Sequence, residues 1–305
     1  MAFVLLAVSV LTFLIFNVIP GGDPAQRIAG RNADEATREQ VRRDYGFDEP
    51  VYVQYWEVMK RAATGDLVSY TDRRNVRDEI VEGIPITASL VIGASILWLT
   101  LGVLFGVLSA RYAGRLPDRF LTVLAMIGIS LPVFWLGLTA LYYLTYKVEL
   151  FPAGGYAPLT ENPLDWAWHL VLPWVVLSTL FVGFYSRLVR ASVLEVENED
   201  YVRTARAKGL PERQILLRHT LRNALIPVVT LFGLDFGALF GGGAILTESV
   251  FDLPGVGGYA AESIGSLDVP PVMGVVLYSA FFIVLLSAVV DIVYAYLDPR
   301  IRVTL

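Results

Sequence analysis

The sequence predicts an all-α integral membrane protein of six transmembrane helices, with an extracytoplasmic loop or small cap between the first and the second. Three observations carry that expectation. Of 305 residues, 55% are hydrophobic and 17% charged, with a mean hydropathy of +0.57, whereas a soluble domain carries roughly a quarter charged residues. The charges fall into a few blocks separated by long stretches without any, as in chains that cross about 30 Å of hydrocarbon. Lys and Arg gather in alternate connecting loops, the asymmetry that orients helices in a bilayer.

Composition also removes whole classes of function. No cysteine is present, so disulfides, thiol chemistry and cysteine-ligated zinc are unavailable. His169 and His219 are too few and too far apart for a metal cluster, and a net charge of −5 excludes a generally basic nucleic-acid binder.

Residues 1–19 form the first span. It lacks a basic start and an Ala-x-Ala cleavage site, and its apolar run is longer than a signal-peptide core, so it reads as a retained helix. The missing basic start predicts that the natural chain begins a few residues earlier. Residues 20–83 hold ten basic and thirteen acidic residues. The helix-like stretch Asp34–Tyr45 and the aromatics Tyr52, Tyr55 and Trp56 predict a small folded cap. Spans two and three, residues 84–110 and 120–146, each run 27 residues without a charge. Span four covers 169–186, a loop 187–224, span five 225–246 and span six 272–297, with a tail at 298–305. Pro132, Pro173, Pro227 and Gly241 to Gly243 lie inside spans, where they permit kinks and close packing.

Loops 111–119 and 187–224 and the tail hold 3, 8 and 2 Lys or Arg, against one (Lys147) and none in the short loops after spans three and five. That imbalance predicts both termini, and loop 187–224, in the cytoplasm. The loop reads RLVRASVLEVENEDYVRTARAKGLPERQILLRHTLRNA. Helix formers dominate it, broken at Gly209-Leu210-Pro211. Glycine suits the left-handed residue that ends one helix, and proline the first turn of the next. A helix–turn–helix at the membrane face follows. It is expected to present Arg203, Arg206 and the small residues Thr204, Ala205 and Ala207 to a partner, the small ones for close approach and the arginines for carboxylates.

The stretch Arg203-Thr204-Ala205-x3-Gly209 resembles the EAA loop of binding-protein-dependent ABC transporter permeases. YVRTARAKGL through HTLRNALIPVV is similar to the dipeptide/oligopeptide (DppB/OppB-type) subfamily. The resemblance runs along nearly the whole chain: Ile19 to Pro24, Gly65-Asp66-Leu67, Ser130 to Gly137, Phe151-Pro152, Glu248-Ser249-Val250-Phe251, Pro254-Gly255-Val256-Gly257 and Leu297 to Arg302. Two positions depart from the broader superfamily: Arg203 stands where it has Glu, and His219-x-Leu221-Arg222 replaces its Ile-x-Leu-Pro.

The resemblance implies a type I ABC importer permease, a non-catalytic subunit of a cell-membrane transporter for di- or oligopeptides. It also implies the partners: a second homologous permease, two cytoplasmic ATP-binding subunits and an extracytoplasmic solute-binding protein. Nickel, glutathione and oligosaccharides are alternative cargoes. The coupling contact to the ATPase is expected at Tyr201, Arg203, Thr204, Ala205, Arg206, Ala207 and Gly209. None of the three lysines, Lys60, Lys147 and Lys208, sits in a GxxxxGK[ST] phosphate loop. ATP and Mg are therefore expected on the partners, with no cofactor on this chain.

Span-embedded carboxylates are the mark of the rival class, ion-coupled secondary transporters. Two exist, Asp235 and Asp291. Asp291 lies near the last arginines and suits a structural role. Asp235 lies midway along span five, where it either lines the translocation pathway or pairs with a polar group on a neighbouring helix. In the loop after span five, Glu248, Asp252, Glu262 and Asp268 either meet a basic rim on the binding protein or are plain solvated acids.

Overall fold

The computed structural model describes residues 2–19, 24–30 and 33–297. Among them the chain is helical, without strands beyond one isolated antiparallel bridge, Val68 to Asn75.

Helix α1 (Ala2–Phe13) is prolonged by a π-helical turn, Leu14–Val18. Helices α2 (Pro24–Ala29), α3 (Glu35–Tyr45) and α4 (Val51–Thr64) build the cap. The predicted stretch is helix α3. Asp34 caps it, accepting from the Thr37 backbone N–H, and Gly46 closes it in the left-handed region as such ends require. The aromatics fall on α4. Tyr55 hydrogen-bonds Ser9 and Gln54 accepts from Asn17, so the cap is pinned to the first apolar helix. Of the motif Ile19 to Pro24, residues 20–23 lie outside the described residues, as does the tail 298–305.

Helix α5 (Val76–Arg111) starts eight residues before the predicted span because Asn75 caps it, and it continues unbroken through Pro85. Helices α6 (Leu116–Ser130) and α7 (Val133–Ala140), with a π turn Leu141–Lys147, replace the predicted straight third span. They meet at a bend of 97°. Pro132 is the cause: it lacks an N–H and forces Leu131 to extended backbone, which breaks the helical ladder. Helix α8 (Pro163–Val196) opens on the Asn162 cap and runs ten residues beyond the predicted span. Arg187–Val196 is therefore helix rather than loop, since nothing breaks it before the Asn198 turn.

Next come α9 (Asp200–Ala207), α10 (Glu212–Gln214), a π turn Ile215–Thr220 and α11 (Leu221–Ala224). The fifth apolar run is α12 (Ile226–Ala238) with a π turn Leu239–Gly243, interrupted where Gly242 takes φ +112°. After it stand α13 (Ile245–Val250), α14 (Val256–Ser266) and α15 (Val269–Leu297). All six predicted apolar runs are helical. Four helices are long and apolar enough to cross a membrane singly: α5, α8, α12 with its π turn, and α15. The α6–α7 pair passes only if its bend is counted as one span, and Phe3–Asn17 is shorter.

The most extensive helix pairing joins α5 to α8. Gly102 and Gly106, four apart on α5, make it possible. A Cβ on Gly106 would lie 2.6 Å from the Val189 Cβ, and one on Gly102 2.8 Å from that of Tyr185. Bare backbone at this spacing lets membrane helices pack closely when lipid offers no hydrophobic drive between them. Trp98, Tyr185 and Val189 are completely buried there.

Candidate functional site

The segment Asp200–Ala224 joins α8 to α12 as a hairpin lying across one end of the bundle. Val202, Ala205 and Ile215 are buried against each other, with Val196 and Leu210 beside them. Gly209 adopts φ +78°. The Leu210 backbone N–H reaches back to the Ala205 carbonyl at 3.4 Å and that of Gly209 to Arg206 at 3.0 Å, closing α9. Arg206 grips Glu212 across the turn, Nε to Oε1 at 2.8 Å. That pair holds the Glu212 carboxyl below its ordinary range, although its exposure keeps its contribution to stability under about 1 kcal/mol. Burial pushes the neighbouring Glu197 carboxyl up.

One face of α9 is thus committed to the hairpin. The opposite face presents Tyr201, Arg203, Thr204, Ala207 and Lys208 to solvent, and Gly209 is exposed at the turn. Two expected contact residues are placed differently. Ala205 is 6% exposed, because its small side chain is what lets α9 sit on Ile215, so it packs inside the hairpin. Arg206 is turned to Glu212. The Tyr201 hydroxyl accepts from Asn223 Nδ2 at 2.8 Å, tying α9 to α11.

A polar clamp stands at the same end of the bundle. Asp118, 4% exposed, accepts two hydrogen bonds from Arg190, at 2.7 and 2.8 Å. It also accepts from the Ser109 hydroxyl and the Gly114 backbone N–H. Three helices, α5, α6 and α8, are thereby locked together ten residues before the hairpin begins. Sequence reasoning passed over both residues. The signal available was an acid in the first turn of an apolar helix, within a loop otherwise wholly basic.

Deeper in the bundle the Tyr185 hydroxyl donates to Asp235 Oδ2 at 2.7 Å. Tyr185 is completely buried and Asp235 partly so. Of the two roles open to Asp235, pairing across helices is the one the geometry contains. The Asp291 side chain lies outside the described residues.

At the far end, two of the four loop acids are not on the surface. Glu248, 0% exposed, accepts from the Thr87 hydroxyl and the Gly258 N–H, both at 2.8 Å. Thr87 in turn accepts from the Val256 N–H at 3.0 Å. Burial pushes this carboxyl up despite those donors. Asp268 accepts from the Ser69 hydroxyl and from the Tyr70 and Thr71 N–H groups at 2.7 to 3.1 Å. These acids strap the loop to α5 and the cap to α15, which leaves Asp252 and Glu262 exposed.

Residues 102–303 match the family described as binding-protein-dependent transport system inner membrane component, and residues 1–91 match the N-terminal domain described for such components. The glutathione transport system permease protein GsiC of Escherichia coli (strain K12) is 40% identical over 299 residues, covering 98% of this chain and 94% of that one. A Brucella abortus (strain 2308) protein named for a peptide transport system permease is 37% identical over 300 residues, covering 98% and 95%. Among solved structures, a chain of the MetNI methionine ABC transporter in inward-facing conformations superposes with a TM-score of 0.57 at 19% identity. It covers 72% of this chain and 96% of that one, and shares the fold.

Proposed function

We propose, from the premise that this chain belongs to the family of binding-protein-dependent transport system inner membrane components, that it is the permease subunit of an ATP-driven importer of short peptides. Its relatives named for glutathione and peptide transport support one cargo class, because glutathione is itself a tripeptide. The chain supplies the membrane path and its gates, and performs no covalent chemistry. ATP and Mg belong to separate ATPase subunits, and a solute-binding protein delivers cargo at the opposite face. A second homologous permease completes the path. The arginine-rich end, with both termini, lies in the cytoplasm of a multi-pass cell-membrane protein.

The observation that carries this reading is the two-faced hairpin Asp200–Gln214. One face is cemented by Val202, Ala205 and Ile215; the other is open and basic, with Arg203 and Lys208 exposed. A rigid arm of this kind, continuous with α8 and leading through α11 to α12, passes the rigid-body motion of a docked ATPase into the spans. It does so only through contacts that differ between the two states of the transporter. Proteoliposomes test it: labelled dipeptide uptake is expected only with the binding protein outside and ATPase plus ATP inside. Uptake by the permease without ATPase overturns the proposal.

A further inference from the structure

An apolar groove of about 250 Å³ runs along the outside of the bundle between α5, α6 and α8. On α5 it extends from Leu97 to Phe105, eight residues or roughly 12 Å of helix rise. That is most of one leaflet of a ~30 Å hydrocarbon core. Its floor is closed by small residues: a Cβ on Gly183 would meet the Ala125 carbonyl at 2.5 Å, and one on Gly128 that of Thr179 at 3.0 Å. Three hydroxyls line it, and all are spent within α8: Ser178 and Thr179 donate to the Val175 carbonyl and Ser186 to that of Gly183. The wall therefore offers a guest no unmet hydrogen bond, which suits a hydrocarbon and not a peptide.

Charge decides which hydrocarbon. The groove ends at the Asp118–Arg190 clamp, where the lining residue Leu121 follows the basic start of α6 and Ser186 precedes Arg187. Arg115, Arg119 and Arg187 are all exposed there, and among the described residues none has a hydrogen-bond or ion-pair partner for its guanidinium. Leu116 and Phe120 are 80% and 68% exposed beside them, an apolar surface interleaved with the arginines. We propose that this groove is a binding site for an anionic phospholipid, one acyl chain lying against Leu101 and Leu124 and the phosphate held among Arg115, Arg119 and Arg187. Basic pockets between transmembrane helices select anionic headgroups in this way.

Native mass spectrometry of the purified full-length chain, with phosphatidylglycerol or phosphatidylcholine added, tests the site. One phosphatidylglycerol is expected to be retained roughly tenfold or more over phosphatidylcholine. The triple variant Arg115→Gln/Arg119→Gln/Arg187→Gln is expected to bring the two lipids to parity. Val182→Trp, which fills the groove, is expected to abolish retention of either. Equal retention of both lipids by the unaltered chain overturns the proposal, as does retention that neither variant changes. Because the chain has no cysteine, Leu124→Cys carries a single photo-crosslinker in membranes. Capture of lipid supports the site; capture of a second permease chain overturns it, and leaves the transport reading untouched.

Discussion

The guanidinium of Arg190 spans both oxygens of Asp118, Nε to Oδ1 at 2.7 Å and Nη2 to Oδ2 at 2.8 Å, across 72 residues of sequence. Planar two-point recognition of this kind is strong and directional. It fixes the rotation of α8 relative to the α5–α6 turn only ten residues before the hairpin starts. Motion arriving at α9 is therefore imposed on a locked three-helix unit.

Removing one partner strands the other. Asp118→Ala is expected to lower stability by roughly 3 kcal/mol, read as thermal unfolding in detergent. Asp118→Ala combined with Arg190→Met is expected to cost clearly less than the two single changes summed. Strict additivity would show that the pair is not coupled.

Glu248 gives a pH dependence whose sign follows from burial. Its folded carboxyl titrates above the ordinary 4.5, so its share of stability is full below about 4.5 and is lost as pH rises through the raised folded value. Glu248→Gln removes that slope. The melting temperature of the unaltered chain minus that of Glu248→Gln is expected to fall across this window, and parallel curves would refute the assignment.

The hairpin separates docking from folding. Arg203→Glu alters an exposed side chain whose only ion-pair contact among the described residues is a 3.8 Å approach to the still more exposed Asp200. It is expected to leave the melting temperature within a degree or two while cutting ATPase stimulation in proteoliposomes about tenfold, since reversed charge is penalised at a docking face. Ala205→Leu is expected to do the reverse first, destabilising the hairpin by about 1–3 kcal/mol through overpacking. Gly209→Val strains a residue at φ +78°, at a cost of order 1–3 kcal/mol.

Tyr185 and Asp235 test the path. Tyr185→Phe leaves the carboxylate without its donor inside the bundle and is expected to cost about 1.5–3 kcal/mol. Asp235→Asn keeps an acceptor for Tyr185 but removes the charge. Reduced dipeptide uptake with unchanged ATPase co-purification is the expected result, and full uptake would dispose of a pathway role for Asp235.

Much of this molecule was legible before any coordinates. Apolar run length located six helical stretches, the third of them broken at Pro132, the stretch Asp34–Tyr45 marked α3, and Gly209 marked the hairpin turn, because each depends on residues close together in sequence. Boundaries were less legible. Arg187 to Val196 continue α8 although they carry charge, since helicity there is set by the absence of a breaker and not by hydropathy.

What the sequence determined by itself is the local and the periodic: a chain of membrane helices, the uneven sharing of Lys and Arg among their loops, a glycine-closed basic hairpin and the absence of a phosphate loop. What only the tertiary structure decided is which polar groups are spent. Glu248 and Asp252 look alike as neighbouring acids of one loop, yet Thr87, 161 residues distant, removes the first from solvent and leaves the second in it. Ala205 and Ala207 likewise share a helix and differ in face. The cost of desolvating a charge or a contact surface is fixed by what the fold brings next to it, and those neighbours come from the far ends of the chain.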